Sequence, residues 1–121
     1  MPGRRVGMPG RAALRDRDTR GRMPAMSERL TPAAVAAALG ELPGWRRAGR
    51  VIRRTFEFPD FVGAMRFVNA VARAAERAGH HPDIDIRWNR VTLTLTTHDA
   101  GGLTARDTTL AARVQALAER R

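Results

Sequence analysis

All three histidines of this 121-residue chain lie in two short polar segments. His80 and His81 are adjacent in the run from Glu76 to Pro82, and His98 lies in the run from Thr96 to Asp99. Histidine is well suited to give and take protons near neutrality, since its unperturbed pKa is about 6.5. Three imidazoles in two neighbouring loops therefore indicate general acid–base chemistry.

A predicted β-hairpin connects the two histidine segments. Apolar and polar residues alternate in 84–88 and again in 91–95, and Asn89-Arg90 fits a two-residue turn between them. In a hairpin the beginning of one strand lies beside the end of the other. We therefore expect the three histidines to line one pocket. Trp88, near the turn, is expected to pack against the helices or an adjoining subunit.

Three helices accompany the predicted strands. The first begins at Thr31-Pro32 and ends at Gly40, and the second follows Asp60 and ends at Gly79. The third follows a capping box, in which a threonine precedes Asp107 by three residues. The apolar face of the second helix is predicted to contain Phe61, Met65, Val68, Ala72 and Ala75.

The order of these elements predicts the fold class. A half-buried strand at 51–58, paired with the segment around Trp45, precedes the second helix. The complete order is α-β-β-α-β-β-α. An antiparallel sheet with one polar face needs helices packed on its other face. The sequence therefore predicts an α+β fold: a two-layer sandwich of a four-stranded antiparallel sheet with helices on one face.

Composition divides the chain into two parts. Residues 1–26 carry seven arginines against two aspartates and are rich in Gly and Pro, so we expect a disordered extension, either a solvated tail or the product of an upstream start. Residues 27–121 are predicted to form one domain. The net charge of +10 is split evenly between the parts, and lysine is absent, which indicates a coding bias toward arginine. Nucleic acid is therefore not expected as a partner.

The same composition bears on the compartment. The chain has no cysteine, which is compatible with a reducing cytosol, and no apolar run approaches the roughly 20 residues that span a bilayer. We expect a soluble, cytoplasmic protein without membrane contact.

Several residues near the histidines have alternative interpretations. Glu76 is either a solvated helix residue or a carboxylate that orients an imidazole and fixes its tautomer. Asp107 is assigned to helix capping. A metal site is not expected, because adjacent histidines in an extended segment diverge and no cysteine or clearly placed carboxylate completes a ligand set. The only serine, Ser27, lies in the N-terminal segment and no pattern pairs it with a base, which disfavours a nucleophilic mechanism.

Taken together, these residues resemble the pterin-4a-carbinolamine dehydratase family. The likeness extends from about Leu30 to Leu117, and the departures are the arginine-rich extension and Trp88, where tyrosine is frequent in the family. The likeness rests on Glu76, His80-His81-Pro82, Trp88, Thr96-Thr97-His98-Asp99 and the run from Gly102 to Asp107.

The resemblance implies dehydration of 4a-hydroxy-tetrahydropterin to quinonoid dihydropterin, which recycles the pterin of aromatic amino acid hydroxylases. It implies no metal or nucleotide cofactor. His81 and His98 would flank the 4a-hydroxyl as acids, and His80 would bind the pterin or act as base, although the division of roles stays open. The family's substrate-contacting loop maps onto Thr96, Thr97 and Asp99.

The resemblance also leaves alternatives open. Members of the family assemble as dimers or tetramers, so a homo-oligomer is expected, and a small domain with alanine-rich helices gains core by burying surface between subunits. A non-enzymatic role as an oligomeric partner, or coactivator, of a transcription factor is the runner-up. A divergent member linked to molybdopterin metabolism is a further possibility.

Overall fold

Helices and strand pairs alternate along the chain in the predicted order. The computed structural model describes residues 26–120, so the extension predicted to be disordered lies outside the described residues apart from Met26. The elements are α1 (Pro32–Gly40), β1 (Arg46–Ala48), β2 (Val51–Glu57), α2 (Phe61–Ala78), β3 (Asp83–Arg87), β4 (Arg90–Leu95), a 3-10 helix (His98–Ala100) and α3 (Ala105–Glu119).

The four strands form one antiparallel sheet in the order β1-β2-β4-β3. The central strand β4 places Val91, Leu93 and Leu95 in the core, and all three side chains are fully buried. Burial on one face of the sheet follows from the alternation of apolar residues and threonines along the strand. The predicted α+β fold is confirmed, with helices covering the buried face.

The hairpin turn lies one residue earlier than predicted. Arg87 pairs with Arg90, so Trp88 and Asn89 form the turn, and the prediction of Asn89-Arg90 is wrong. The buried Asn89 side chain donates a hydrogen bond to the Phe58 carbonyl at 2.8 Å, and Phe58 N–H donates to the Asn89 carbonyl at 2.9 Å. These two bonds tie the turn to the end of β2, which sets the register.

Helix α2 begins and ends where the sequence predicts, but it buries a different face. Asp60 accepts a hydrogen bond from Gly63 N–H at 2.7 Å, and Gly79 ends the helix with a left-handed φ of 62°. Of the predicted apolar face only Ala75 is fully buried, whereas Phe61 is 49% exposed. The buried residues are Ala64, Phe67, Val71, Ala74 and Ala75.

The buried face of α2 is set by an aromatic cluster that local periodicity does not encode. The Phe67 ring lies 4.8 Å from that of Phe56 and 5.0 Å from that of Phe58, centroid to centroid. Apolar residues occupy more than one stripe of α2, and contact with Phe56 of β2 and with Phe58, just after β2, decides between adjacent stripes. Within residues 26–120, no helix has the length and apolar character needed to cross a membrane.

Candidate active site

The hairpin brings the two histidine segments to one end of the sheet. His80 and His81 lie between α2 and β3, while His98 begins the 3-10 helix after β4. The start of β3 pairs with the end of β4 through Asp83 and Thr94. All three histidines line one cleft of about 260 Å³, together with Gly79, Thr96, Thr97, Asp99 and Arg106.

His80 is held by a buried carboxylate. Its Nε2 lies 2.6 Å from Oδ1 of Asp107, and the two side chains are 10% and 0% exposed. The helix end fixes the backbone, because His80 N–H donates to the Ala75 carbonyl at 3.2 Å. Both the ring and the chain that carries it are therefore held in place.

Asp107 has a second partner set that explains its complete burial. Its Oδ2 accepts hydrogen bonds from the Thr97 hydroxyl at 2.8 Å and from Thr104 N–H at 2.9 Å. The Thr104 bond is half of a capping box at the start of α3, as the sequence predicts. A buried carboxylate is tolerated where several donors satisfy its oxygens.

The contact between Asp107 and His80 is the feature that the sequence did not reveal. Capping explained Asp107 on its own, and 27 residues separate it from His80 along the chain. The one indication was its place in the run that resembles the family's motif. The fold adds an imidazole to a carboxylate that already caps a helix.

The donors around Asp107 define the tautomer of His80. A carboxylate only accepts hydrogen bonds, so the proton between the two groups belongs to Nε2 of His80. The Thr97 hydroxyl also donates to Asp107, so in the 2.8 Å bond between the two threonines the Thr104 hydroxyl is the donor. Nδ1 of His80 makes no hydrogen bond within the described part of the chain, which leaves it free to accept a proton.

His81 has a carboxylate partner of its own, at the surface. Its Nε2 lies 2.7 Å from Oε2 of Glu76, and the side chains are 61% and 77% exposed. Glu76 therefore contacts an imidazole, that of His81, while it stays exposed on the helix, and a role in orienting the ring and fixing its tautomer stays a prediction. Solvent screens this exposed pair far more than it screens the buried pair of His80 and Asp107.

The segment after β4 supplies the rest of the cleft. The side chains of His98 and Asp99 are exposed and make no hydrogen bond to the described residues. Thr96 donates its hydroxyl to the Arg50 carbonyl at 2.6 Å, and buried Thr97 exchanges backbone hydrogen bonds with Gly102. The substrate contacts predicted for Thr96, Thr97 and Asp99 stay predictions.

Arg106 is a cleft residue that the sequence analysis did not single out. It occupies a middle position of the Thr104–Asp107 capping box, and its side chain is exposed beside the histidines. Within residues 26–120, no group of three or more histidine, aspartate and glutamate side chains is arranged to hold a metal ion.

Comparison with known proteins agrees with this geometry. Residues 28–117 match the family model described as pterin 4 alpha carbinolamine dehydratase. The chain belongs to this dehydratase family. The match begins two residues after the extension and ends within α3, so it contains every residue that lines the cleft.

Curated relatives within the family are similar over nearly their whole length. A protein of Acidobacterium capsulatum is 61% identical over 88 residues, which cover 73% of this chain and 96% of the relative. A protein of Thermosynechococcus vestitus is 53% identical over 93 residues, which cover 77% of this chain and 98% of the relative. Both carry pterin-4-alpha-carbinolamine dehydratase as a provisional name.

Two solved structures share the fold. The crystal structure of a transcriptional coactivator/pterin dehydratase from Brucella melitensis is 38% identical, with a TM-score of 0.73, and the alignment covers 75% of this chain and 99% of that one. A pterin dehydratase-like protein described as a RuBisCO assembly factor in the alpha-carboxysome is 31% identical. Its TM-score is 0.54, with 62% of this chain and 89% of that chain covered.

Proposed function

We propose that this member of the dehydratase family converts 4a-hydroxy-tetrahydropterin to quinonoid dihydropterin and so recycles the pterin of aromatic amino acid hydroxylases. The observation that carries the proposal is the meeting of three imidazoles in one cleft, in three different environments. His80 is buried against a carboxylate, His81 is paired at the surface, and His98 is exposed without a partner among the described residues.

The reaction needs one proton delivered and one removed. The bond between C4a and the hydroxyl oxygen breaks, and a protonated acid supplies the proton with which the oxygen leaves as water. N5 loses its proton to a base, and the electron pair of that N–H bond forms the C4a=N5 double bond. Imidazoles perform both transfers near neutral pH and regain their starting protonation from solvent.

The environments of the histidines support a division of these roles. His81 and His98 are exposed, so solvent can reprotonate them between turnovers, which suits two acids at the 4a-hydroxyl. His80 donates Nε2–H to Asp107, which leaves Nδ1 to accept the N5 proton. Asp107 does not touch the substrate in this scheme and acts as a positioning residue for His80.

The pterin ring would be held by the segment after β4. Its pyrimidine edge presents N–H donors, for which the exposed Asp99 carboxylate is a suitable acceptor. The Thr96 oxygen retains acceptor capacity after donating to Arg50. The hydroxyl of Thr97 donates to Asp107. We therefore propose that this hydroxyl helps to hold Asp107 in place and does not bind the pterin ring.

The activity is tested on the purified chain with 4a-hydroxy-tetrahydropterin formed in situ by an aromatic amino acid hydroxylase. Formation of quinonoid dihydropterin is followed by absorbance, with and without the chain. We expect acceleration over the spontaneous reaction by a factor of about 10² to 10⁴, the usual contribution of positioned acids and bases. A rate equal to the spontaneous one at excess protein would contradict the proposal.

A chain without cysteine fits a reducing compartment, and we propose that the reaction takes place in the cytoplasm.

We also propose that the protein is a homo-oligomer, a dimer or a tetramer, through the β3 edge of the sheet. Ile84 and Ile86 are each 37% exposed there, and Trp88 at the adjoining turn is 69% exposed. The opposite edge, β1, has only three residues and two of them are arginines, which protects it from pairing. A second copy beside β3 would cover the unpaired backbone groups and the apolar side chains together.

Light scattering tests the oligomer and its interface. We expect the wild-type mass to be a multiple of the chain mass. The Ile86→Lys/Trp88→Gly variant should have half the wild-type mass, because pairing at the β3 edge joins two copies. Glycine suits position 88, where φ is 55°, so the turn is retained. Val62→Lys, at a 56% exposed apolar position on α2, is the matched control and should keep the wild-type mass. A monomeric wild type, or dissociation by Val62→Lys alone, would contradict pairing at β3.

A non-enzymatic role is the second candidate, because the similar Brucella melitensis protein is described as a transcriptional coactivator as well as a pterin dehydratase. A partner role of this kind would survive loss of the cleft histidines, whereas catalysis would not. The His81→Ala/His98→Ala variant described in the Discussion therefore separates the two roles.

A further inference from the structure

The outer surface between α2 and α3 carries two hollows, of about 570 and 910 Å³. The smaller one borders the catalytic cleft, with which it shares His80 and Arg106, and the larger one shares no residue with it. Each hollow is lined by three arginines. The α3 arginines recur every seven residues, and two of the α2 arginines have the same spacing. We call this surface the arginine groove; it is defined by Arg66, Arg73 and Arg77 of α2, by Arg106 and Arg113 of α3, and by Arg120, which directly follows α3.

The charges of the arginine groove are not neutralised within the domain. All six side chains are exposed, and none makes an ion pair or a hydrogen bond to another residue in the described range. Two acids, Glu57 and Asp60, line the larger hollow, and Asp60 also accepts the Gly63 amide hydrogen. Asp107, next to Arg106 in the chain, is buried against His80. With six arginines against two acids in its lining, the groove is a predominantly cationic surface.

The floor of the groove is apolar and built from small residues. Ala70, Ala74 and Leu110 line it, with Leu117 toward the end of α3. Small residues between two helices let a third helix approach closely, and charged walls on both sides of an apolar floor match the two faces of an amphipathic helix. From Arg106 to Arg120 the wall extends about 21 Å at 1.5 Å per residue, or about four helical turns.

We propose that the arginine groove binds an acidic amphipathic helix of a partner protein, with the apolar stripe of that helix on the groove floor and acidic residues along both flanks. A second copy of the same groove does not fit, because like charges would face each other. The N-terminal extension does not fit either, since residues 1–26 carry seven arginines against two aspartates.

Nucleic acid is a less suitable occupant than an acidic helix. Phosphates need the cations but gain nothing from an apolar floor, and single strands are usually held by exposed aromatic side chains on which bases stack. The aromatic residues at this surface, Phe58 and Phe67, are buried in the core.

The test uses a fluorescent synthetic peptide of about 18 residues with a leucine and alanine stripe flanked by glutamates. As a helix it is about 27 Å long at 1.5 Å per residue, which covers the groove of about 21 Å with two residues to spare at each end. Its anisotropy is titrated with the full chain at low and physiological ionic strength. We expect saturable binding that the Arg73→Glu/Arg113→Glu variant weakens about tenfold or more, because both reversals replace attraction with repulsion. Neither arginine lines the catalytic cleft.

Matched controls distinguish specific binding in the groove from a general effect of net charge on peptide affinity. Arg46→Glu/Arg53→Glu reverses two exposed arginines on the sheet and makes the same change in net charge, so its affinity should stay near the wild-type value. A peptide of the same composition in scrambled order should bind more weakly than the patterned one. Equal loss in both protein variants, equal affinity for both peptides, or no binding by the wild type would overturn the proposal. Tighter binding of a single-stranded oligonucleotide, lost in the groove variant only, would overturn it in favour of a nucleic-acid surface.

Discussion

Replacing Asp107 with asparagine is expected to lower kcat for the dehydration about 100-fold while the domain stays folded, within the range that a misoriented acid–base histidine produces. Asparagine keeps the size of the side chain, and its oxygen can still accept from Thr97 and Thr104. Its amide then faces Nε2 of His80 as a donor, so His80 must carry its proton on Nδ1. The nitrogen that accepted the N5 proton is thereby blocked, and the structural cost stays at about 1–2 kcal/mol for one altered hydrogen bond.

Two measurements separate this effect from a purely structural one. Nitrogen NMR of the imidazoles, with His80 identified through His80→Gln, should show the proton move from Nε2 to Nδ1 in the Asp107→Asn protein. Glu76→Gln is the matched control, because it makes the same carboxylate-to-amide change at the exposed His81 pair and should lower kcat only a few fold, since exposed pairs contribute little. An altered tautomer with wild-type kcat would remove His80 as the base. An unchanged tautomer would contradict the assignment of donors around Asp107.

Removal of both exposed histidines, in His81→Ala/His98→Ala, is expected to bring the rate close to that of the uncatalysed reaction. Each single substitution should lower kcat by about 10-fold to 100-fold, and the pair should approach the full 10²- to 10⁴-fold contribution of proton transfer. Both side chains are exposed, so the free energy of unfolding should change by no more than about 0.5 kcal/mol.

The kinetic comparison needs a stability control and a binding control. Thermal unfolding of the three variants should coincide with that of the wild type, and a substrate-analogue titration with tetrahydropterin should show whether affinity is retained. A loss in kcat with unchanged affinity supports roles in proton transfer. Wild-type kcat in the double variant would show that the cleft histidines are not the acids.

Local signals in the sequence were sufficient for the elements and for the meeting of the histidines. Thr31, Asp60 and Thr104 cap the three helices as predicted, because capping depends on a few neighbouring residues. Alternation along β3 and β4 predicts the hairpin, and antiparallel geometry then brings His80 near His98.

The features that the sequence did not reveal depend on contacts distant along the chain. The turn register is set by the contact of Asn89 with Phe58. The buried face of α2 is set by the contacts of Phe67 with Phe56 and Phe58. The pairing of Asp107 with His80 requires α3 to pack beside the end of α2. No periodicity within a single element encodes such contacts, whereas the family resemblance already included Asp107.

The most direct test of the cleft as a dehydration site is the single-turnover rate at which 4a-hydroxy-tetrahydropterin disappears with protein in excess, compared between the wild type and His81→Ala/His98→Ala. The proposed roles predict a wild-type rate about 10² to 10⁴ times that of the variant, and a variant rate close to the spontaneous one. Equal rates for the two proteins, whether fast or slow, would contradict catalysis by the histidines of the cleft.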